Sequence, residues 1–394
     1  MKICHLVRQS WPDVCGSVSR LNNILACQKE NGLEVFAISA PFQKESLKGS
    51  KIEDYKGIKY YRTSTINADK TKHERTFLER ISRLLLIFTF ISRANQICKD
   101  ERPDIIHAHA TFFVGITGLI VGFMNRIPVV YEMRSTWEED LRGKFLINFQ
   151  RKIVKKLEEY TARLSKGVVF VSAGIKEHYN LNDLKNENSV IYNSVVEIDG
   201  VVNKAVGDVF HFGYVGSLAY YEGLDGIIPA ARKLIDEYDI SNFKVFIYGS
   251  GSEFEPIKKL IIDNDLVDYI ILKGRVDFED MAAVYNNIDA ILLPRKNLLI
   301  TNKVAGLKPL EAFANKKLVL ASNVGGMREL FVNGKHGYFF EADNSNELTT
   351  IMADVISNYE DKKSVIPTAF KFYQEKYSGN AMFSQYIKIY NKVK

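Results

Sequence analysis

Glu311 stands in NKVAGLKPLEAFANKKLVLASNVGGMREL, residues 302–330, where a short Ala/Phe-rich helix is followed at once by an apolar strand. An ionised carboxylate in such a segment needs a partner, because burying it unpaired is costly. One account is local: Pro309 suits a first helical turn, and a carboxylate two residues later is favoured by the free amides and dipole of that turn. The other account is a ligand. Gly306 lets backbone amides approach an anion, Lys308 adds a cation, and a helix start binds phosphate. The two oxygens of Glu311 then match the two vicinal hydroxyls of a ribose. On that reading one loop holds both ends of a nucleoside diphosphate.

Other residues could do related chemistry. His107 and His109 in DIIHAH (104–109) fall on one face of a strand, with His109 at its carboxyl end, where ligands of α/β sheets sit. A polar strand terminus explains them equally. Glu132 and Arg134 in YEMR end another strand and either bridge each other or touch a phosphate or acceptor group. Arg295 follows the apolar run AILLP, at a carboxyl strand end or in a solvated loop. Gly16 and Ser17, after PDVC, form a turn or offer amides to an anion. No Asp-x-Asp pair for a divalent ion is visible where a donor would bind. Metal ligands are therefore not expected.

The elements that must position these residues read as a βα alternation. Strands are expected at 2–7, 34–39, 58–62, 104–109, 128–133, 168–172 and 189–192, with helices at 17–31, 75–99, 111–125, 140–165 and 173–180. After a linker at 195–208, rich in Val and Gly, strands follow at 210–215, 243–248, 269–273, 289–293 and 317–321, with helices at 222–237, 252–264, 278–287, 308–315 and 326–332. The fold class is α/β: two Rossmann-like, doubly wound units, 1–195 and 209–375, facing each other across a cleft that is the default ligand site. Residues 376–394 are expected as a helix packing back on the first unit. Closure about the linker would exclude water.

The 394 residues exceed one ordinary core, and 46% hydrophobic with 25% charged residues is the composition of a water-soluble globular chain. Cys4, Cys15, Cys27 and Cys98 lack pair spacing, which argues against disulfides and zinc and for a reducing compartment. MKICHLVRQSWP reads as a strand rather than a secretory signal. The longest apolar runs, 84–92 and 111–124, are shorter than the roughly 20 residues a spanning helix needs. Up to residue 190 there are 30 Lys/Arg against 21 Asp/Glu; beyond it the balance is 23 against 26. The basic first half suits an anionic partner, a membrane surface before nucleic acid, for which no reader motif is present. The helix at 77–97, with Arg80, Arg83 and Arg93, is either core packing or an interfacial lipid contact.

Several blocks in order resemble the retaining glycosyltransferases of family 4, with the GT-B fold: SWPDVCGSVSRLNNILACQKENGLEVFAIS (10–39), PDIIHAHA (103–110), IPVVYEMRSTWEE (127–139), FGYVGSLAYYEGLDGII (212–228), FKVFIYGSGSEFEPIKKL (243–260), LKGRVDFEDMAAVYNNIDAILLPR (272–295), the 303–330 signature and GKHGYFFEADN (334–344). The resemblance implies transfer from a nucleotide-diphosphate sugar, UDP-linked, with no further cofactor. It implies a glycan or polyprenyl-diphosphate-linked acceptor in bacterial surface-polysaccharide synthesis, capsule or O-antigen. The setting would be cytoplasmic, with peripheral association with the inner membrane.

Residue by residue, the resemblance places His109, Glu311 and Lys308 in the catalytic machinery. Gly16, Ser17, Gly216, Ser217, Gly249, Arg275, Val276, Arg295, Lys303, Gly306 and Leu307 would line the donor, and Glu132 and Arg134 the acceptor. Three positions depart from the pattern: Lys303 replaces the first glutamate of the family pair, and Ser217 and Glu222 replace the diphosphate-binding Arg and Lys. Arg295, Lys303 and Lys308 are the candidates to restore the lost charge. A catalytically degenerate binding subunit and a GT-B sugar-nucleotide epimerase are the competing functions.

Overall fold

The computed structural model describes residues 1–13, 16–42, 51–63, 77–136, 145–202 and 207–394, without the side chains of 16, 19, 77–84, 145–148 and 278. Its contacts divide the chain into two compact units, Met1–Asn193 with Gly379–Lys394, and Ser194–Ser378.

The first unit runs β1 (Lys2–Val7), α1 (Gly16–Glu30), β2 (Glu34–Ser39), β3 (Ile52–Tyr55), β4 (Ile58–Arg62), α2 (Phe77–Glu101), β5 (Ile105–His109), α3 (Phe112–Asn125), β6 (Val129–Met133), α4 (Phe145–Leu164), β7 (Gly167–Phe170), α5 (Ala173–His178) and β8 (Glu187–Val190). Its strand order is β3-β4-β2-β1-β5-β6-β7-β8, parallel except for β3 against β4. Residues of β5, β6 and β7 are buried throughout, as expected of parallel strands covered on both faces. Ile3, Ile105, Val130 and Val169 share a core with Leu21 and Leu25 of α1. The opposite face meets α3, where a Cβ on Gly118 would lie 3.1 Å from the Ala108 Cβ. The chain turns from one side of the sheet to the other between β1 and β5.

The second unit runs β9 (Phe210–Val215), α6 (Ile227–Asp236), β10 (Phe243–Tyr248), α7 (Phe254–Asp263), β11 (Ile270–Gly274), α8 (Met281–Asn286), β12 (Ala290–Leu293), α9 (Leu299–Lys303), α10 (Lys308–Ala314), β13 (Leu318–Ser322), α11 (Gly325–Arg328), β14 (Tyr338–Phe340), α12 (Ser345–Ser357), α13 (Tyr359–Lys362) and α14 (Ile366–Lys376). Its order, β11-β10-β9-β12-β13-β14, is parallel throughout, with the switch between β9 and β12. The last helix, α15 (Gly379–Val393), returns to the first unit, where Met382, Tyr386, Ile389 and Tyr390 join the α1 core.

Several expectations change. Strands β3 and β14 and helices α9, α12 and α13 were not anticipated. The segment read as a helix from 222 opens with two 3-10 turns, Tyr220–Glu222 and Leu224–Gly226, before α6 begins. The terminal helical stretch breaks at Ser378, so α14 and α15 belong to different units. The expected linker is fastened to the second unit over its described part: Val195 O accepts from the Tyr373 hydroxyl (2.8 Å), Ile198 N donates to Asn315 (3.2 Å), and Val202 N donates to Asn286 (2.8 Å). Residues 203–206 lie outside the described residues. Cys4, Cys27 and Cys98 are free; Cys15 lies outside the described residues. In α2, Phe90, Ala94 and Ile97 face the core and Arg93 bonds Gln96, while the side chains of Arg80 and Arg83 lie outside the described residues.

Candidate active site

In the second unit the candidate residues gather at the switch point, beyond the carboxyl ends of β9 and β12, where α/β sheets bind ligands. Gly216 and Ser217 follow β9, Arg295 follows β12, and Gly306 and Leu307 lead into α10. At the centre is Glu222, only 2% exposed. Lys308 Nζ donates to its Oε1 at 2.8 Å, and Arg295 Nε lies 3.6 Å from its Oε2. The Lys308 ammonium stands over the Tyr214 ring at 5.4 Å, and the Arg295 guanidinium over the Tyr221 ring at 5.6 Å. Arg295 also donates through Nη1 to the Val304 carbonyl at 3.4 Å.

Two glycines make this crowding feasible. At Gly216, φ is +149° and a Cβ would come within 2.3 Å of Lys308 Cε. At Gly249, φ is +141° and a Cβ would sit 1.7 Å from the Gly216 carbonyl oxygen. Only the residue without a Cβ fits either position.

Glu311 is in the first turn of α10, with Pro309 at the helix start. Its amide is bonded to Leu307 O at 3.0 Å and its carbonyl accepts from Asn315 N at 3.1 Å. Among the described residues no hydrogen bond reaches its carboxylate, so the local account, an acid satisfied by its own helix turn, does not describe this geometry. Burial raises its pKa; Lys308 pulls it down and Glu222 pushes it further up. Burial and the Glu311 charge likewise raise the Tyr285 phenol. A partly buried acid that accepts no hydrogen bond among the described residues, beside the Lys308 cation, is an acceptor ready for hydroxyl donors. The amide-and-dipole contribution expected here is small, since α10 has only seven residues and its dipole is correspondingly short. The charge comes from side chains.

The other donor candidates are more dispersed. Arg275 and Val276 follow β11 at the sheet edge; Arg275 is exposed and no described hydrogen bond or ion pair joins it to Glu222. Lys303 is the last residue of α9.

In the first unit, the candidates lie in a buried polar cluster at the β1–β5 switch. His5, His107, His109 and Glu132 all point to the sheet face covered by α1 and α15. Glu132 is 0% exposed and His109 2%. Arg134 donates to His109 Nδ1, and an arginine has no acceptor, so that nitrogen carries no proton. His109 Nε2 therefore donates to His5 Nδ1 (2.7 Å), and His5 Nε2 to Gln28 Oε1 (2.9 Å). Gln28 Nε2 donates to the Tyr390 hydroxyl (3.0 Å), which in turn donates a hydrogen bond to His107 Nδ1 (2.7 Å). His107 Nε2 then faces Glu132 Oε2 at 3.4 Å. One ordered relay thus fixes the tautomers of three neutral imidazoles.

Burial lowers the pKa of all three; His107 and Arg134 lower His109 further, and His107 does the same to His5. Burial would raise Glu132, but Arg20 and Arg134 outweigh it and hold the carboxylate well below its usual range. The three imidazoles bring ligand nitrogens within 4.8 Å of one another. An ion there would have to break the His109–His5 bond on which the relay depends.

This arrangement corrects one assignment and narrows two others. Glu132, expected to touch the acceptor, has both oxygens occupied: Arg134 (2.7 Å) and Arg20 (3.1 Å) bond Oε1, and the Tyr386 hydroxyl bonds Oε2. It holds Arg134 rather than a ligand. His109 has both ring nitrogens engaged, so its contact with a sugar would require His5 or Arg134 to yield. Arg134, partly exposed, also donates to the Ser17 carbonyl at 3.2 Å, which ties the start of α1 to the end of β6. Immediately after His109, Ala110 (φ 41°) and Thr111 (φ 68°) both take left-handed backbone, uncommon for non-glycine residues and frequent beside functional sites. Sequence reading missed His5, Arg20, Gln28, Tyr386 and Tyr390. The signal available was the repeated histidine of β1 and β5 on one strand parity, and the i, i+4 tyrosines of α15.

Comparison with known proteins agrees with the fold. The model of the family "Glycosyltransferase Family 4" matches residues 16–196, and that of "Glycosyl transferases group 1" matches 199–372. An uncharacterized glycosyltransferase of Methanocaldococcus jannaschii is 25% identical over 330 residues, covering 82% of this chain and 84% of that protein. The capsular polysaccharide biosynthesis glycosyltransferase CapM of Staphylococcus aureus is 19% identical over 360 residues, 86% of this chain and 88% of its own. Among solved structures, Anabaena HepE in complex with UDP superposes with a TM-score of 0.72 at 16% identity, covering 98% of this chain and 99% of that one. The shared architecture is GT-B.

Proposed function

Because the chain belongs to the glycosyltransferases described in two halves as family 4 and group 1, we propose that it transfers a sugar, with retention, from a UDP-linked donor to a surface-polysaccharide acceptor. The acceptor is a glycan or a polyprenyl-diphosphate-linked glycan in the bacterial cytoplasm. The capsular role in the name of CapM and the UDP in the HepE structure support this direction.

The carrying observation is Glu311: a partly buried carboxylate that accepts no hydrogen bond among the described residues, beside the Lys308 ammonium held on Glu222, at the switch point of a parallel sheet. In the proposed complex its two oxygens accept the ribose hydroxyls. Lys308 and Arg295 meet the diphosphate, whose negative charge grows as the sugar leaves, and stabilise that charge without a divalent ion. Glu222 replaces a family cation, yet it anchors two others, so the clamp is rebuilt and a degenerate site is not required. The acceptor hydroxyl attacks from the face on which the diphosphate departs; no side chain is assigned as a covalent nucleophile.

The test is a panel of nucleotide sugars scored by thermal stabilisation, since a ligand of the folded form alone raises stability by mass action. Product analysis with and without EDTA follows. Transfer that persists in EDTA is the expected result. A stabilising donor left intact would identify a binding subunit, and a donor isomerised without acceptor an epimerase.

A further inference from the structure

Glu132 and Arg134 share a hydrogen bond of 2.7 Å at the end of β6, yet a second route also joins them. It runs from Arg134 Nη2 to His109, then to His5 (2.7 Å), Gln28 (2.9 Å), the Tyr390 hydroxyl (3.0 Å) and His107 (2.7 Å), and closes on the Glu132 carboxylate at 3.4 Å. An arginine can only donate and an ionised carboxylate can only accept, so the two ends impose one direction on every link between them. Each intermediate must accept on one side and donate on the other. Gln28 does so with two different atoms and Tyr390 with one hydroxyl, and both are buried away from water.

The route decides how the guanidinium of Arg134 is held. Its Nε is used by Glu132, one Nη2 hydrogen by His109 and one Nη1 hydrogen by the Ser17 carbonyl at 3.2 Å. The other two N–H groups have no acceptor among the described residues, on a side chain that is still 10% exposed. His109 can accept from Arg134 only while its Nδ1 is bare. The opposite tautomer would set an N–H against the cation.

We propose that Gln28 and Tyr390 are positioning residues: they keep His109 in the tautomer that accepts from Arg134, and so hold the two remaining N–H groups of Arg134 ready for phosphate oxygens of a substrate. The substrate phosphate rests on the transferase reading above; the tautomer does not. Without the Tyr390 hydroxyl, Gln28 Nε2 loses its acceptor and the amide is free to turn a donor toward His5. His5 then carries its proton on Nδ1 and passes the reversal to His109. Replacing Gln28 by an apolar side chain has the same result, because His5 Nε2–H is left without an acceptor.

The test is nuclear magnetic resonance of the full chain labelled with ¹⁵N-histidine and ¹⁵N-arginine. In the parent, His5, His107 and His109 should each show one neutral form protonated at Nε2, and the Arg134 Nε–H signal should move on titration with inorganic diphosphate. Tyr390→Phe and Gln28→Met should each bring up a second, Nδ1-protonated form of His5 and His109. Both should also weaken diphosphate at Arg134 by about ten-fold, the loss of one charge-assisted contact. Tyr60→Phe removes another hydroxyl of the same core, bonded to Asn22 at 3.4 Å and outside the route, and should change neither reading. A merely structural role for Gln28 and Tyr390 would lower the melting temperature while leaving the histidine forms as they are, and would overturn the proposal. So would altered tautomers with diphosphate bound as in the parent, or a parent Arg134 signal indifferent to diphosphate. A chain that meets these expectations yet transfers no sugar would fail the transferase reading alone.

Discussion

Removing Lys308 separates the two tasks assigned to it. Glu222 is 2% exposed in the parent chain, and of the two cations on it among the described residues Lys308→Ala leaves Arg295, at 3.6 Å. Breaking a fully buried pair by deleting one partner costs about 3–5 kcal/mol. The Lys308 side chain is 18% exposed and Arg295 remains nearby, so about 2–3 kcal/mol is the reasonable figure here. For a unit spanning Ser194–Ser378 that corresponds to a fall in melting temperature of about 5–10 °C. Adding Glu222→Gln removes the stranded charge, and the double variant should recover most of this loss. Affinity for UDP should not recover. One charged contact to phosphate is worth about 1.5–3 kcal/mol, so both Lys308→Ala and the double variant should bind UDP about 10- to 150-fold more weakly. Glu222→Gln alone keeps the lysine and should bind UDP at least as well as the parent chain. Calorimetric unfolding and nucleotide titration of the four proteins complete the cycle. A double variant as unstable as Lys308→Ala would refute the ion-pair account, and UDP affinity returning with stability would refute the clamp.

Three further outcomes follow from the same geometry. Glu311→Ala should abolish stabilisation by UDP with little change in the apo melting temperature, because no hydrogen bond among the described residues reaches that carboxylate; an undiminished UDP shift would remove Glu311 from the site. Gly216→Ala, whose Cβ would meet Lys308 Cε at 2.3 Å, should displace the lysine and weaken UDP binding about as much as Lys308→Ala, checked by the same titration. On acidification the first unit should lose stability. The folded-state pKa values of His5, His107 and His109 lie below the ordinary 6.5, so the unfolded chain takes up protons first. Stability from neutral imidazoles is present above about pH 6.5 and is lost below it, at up to about 1.4 kcal/mol per pH unit for each histidine. Glu132, held below its ordinary 4.5, adds loss in the same direction at lower pH. A melting temperature for this unit that is flat between pH 7 and pH 5 would contradict the relay.

The central strands were legible because parallel strands covered on both faces are mostly apolar: β12 is an unbroken apolar run, and β1, β5 and β9 are apolar apart from Lys2 and their histidines. Strand β3, IEDY, was not, because an edge strand with exposed polar residues has no such signature, and the three residues of β14 are too few to show a period. Helix α12 carried a start signal, Asn344 accepting the amide of Glu347, that the sequence reading passed over. At the candidate site, Glu311, Lys308 and Gly306 lie within six residues of sequence, so their joint chemistry could be read. Glu222 could be recognised only as a missing cation. Its partnership with Lys308 joins positions 86 apart and depends on β9 and β12 being neighbours, a consequence of the crossover order. The histidine relay was hidden for the same reason, since it draws on β1, α1, β5, β6 and α15. Charged and polar groups in such a core are stable only through one another, and no single segment displays that.

The most direct test is a structure of the chain with UDP. The account predicts both Glu311 oxygens on the ribose hydroxyls, with the Lys308 ammonium on the diphosphate and Glu222 still beneath it. A nucleotide bound elsewhere, or a Glu311 carboxylate turned onto its own backbone amides with UDP present, would contradict it.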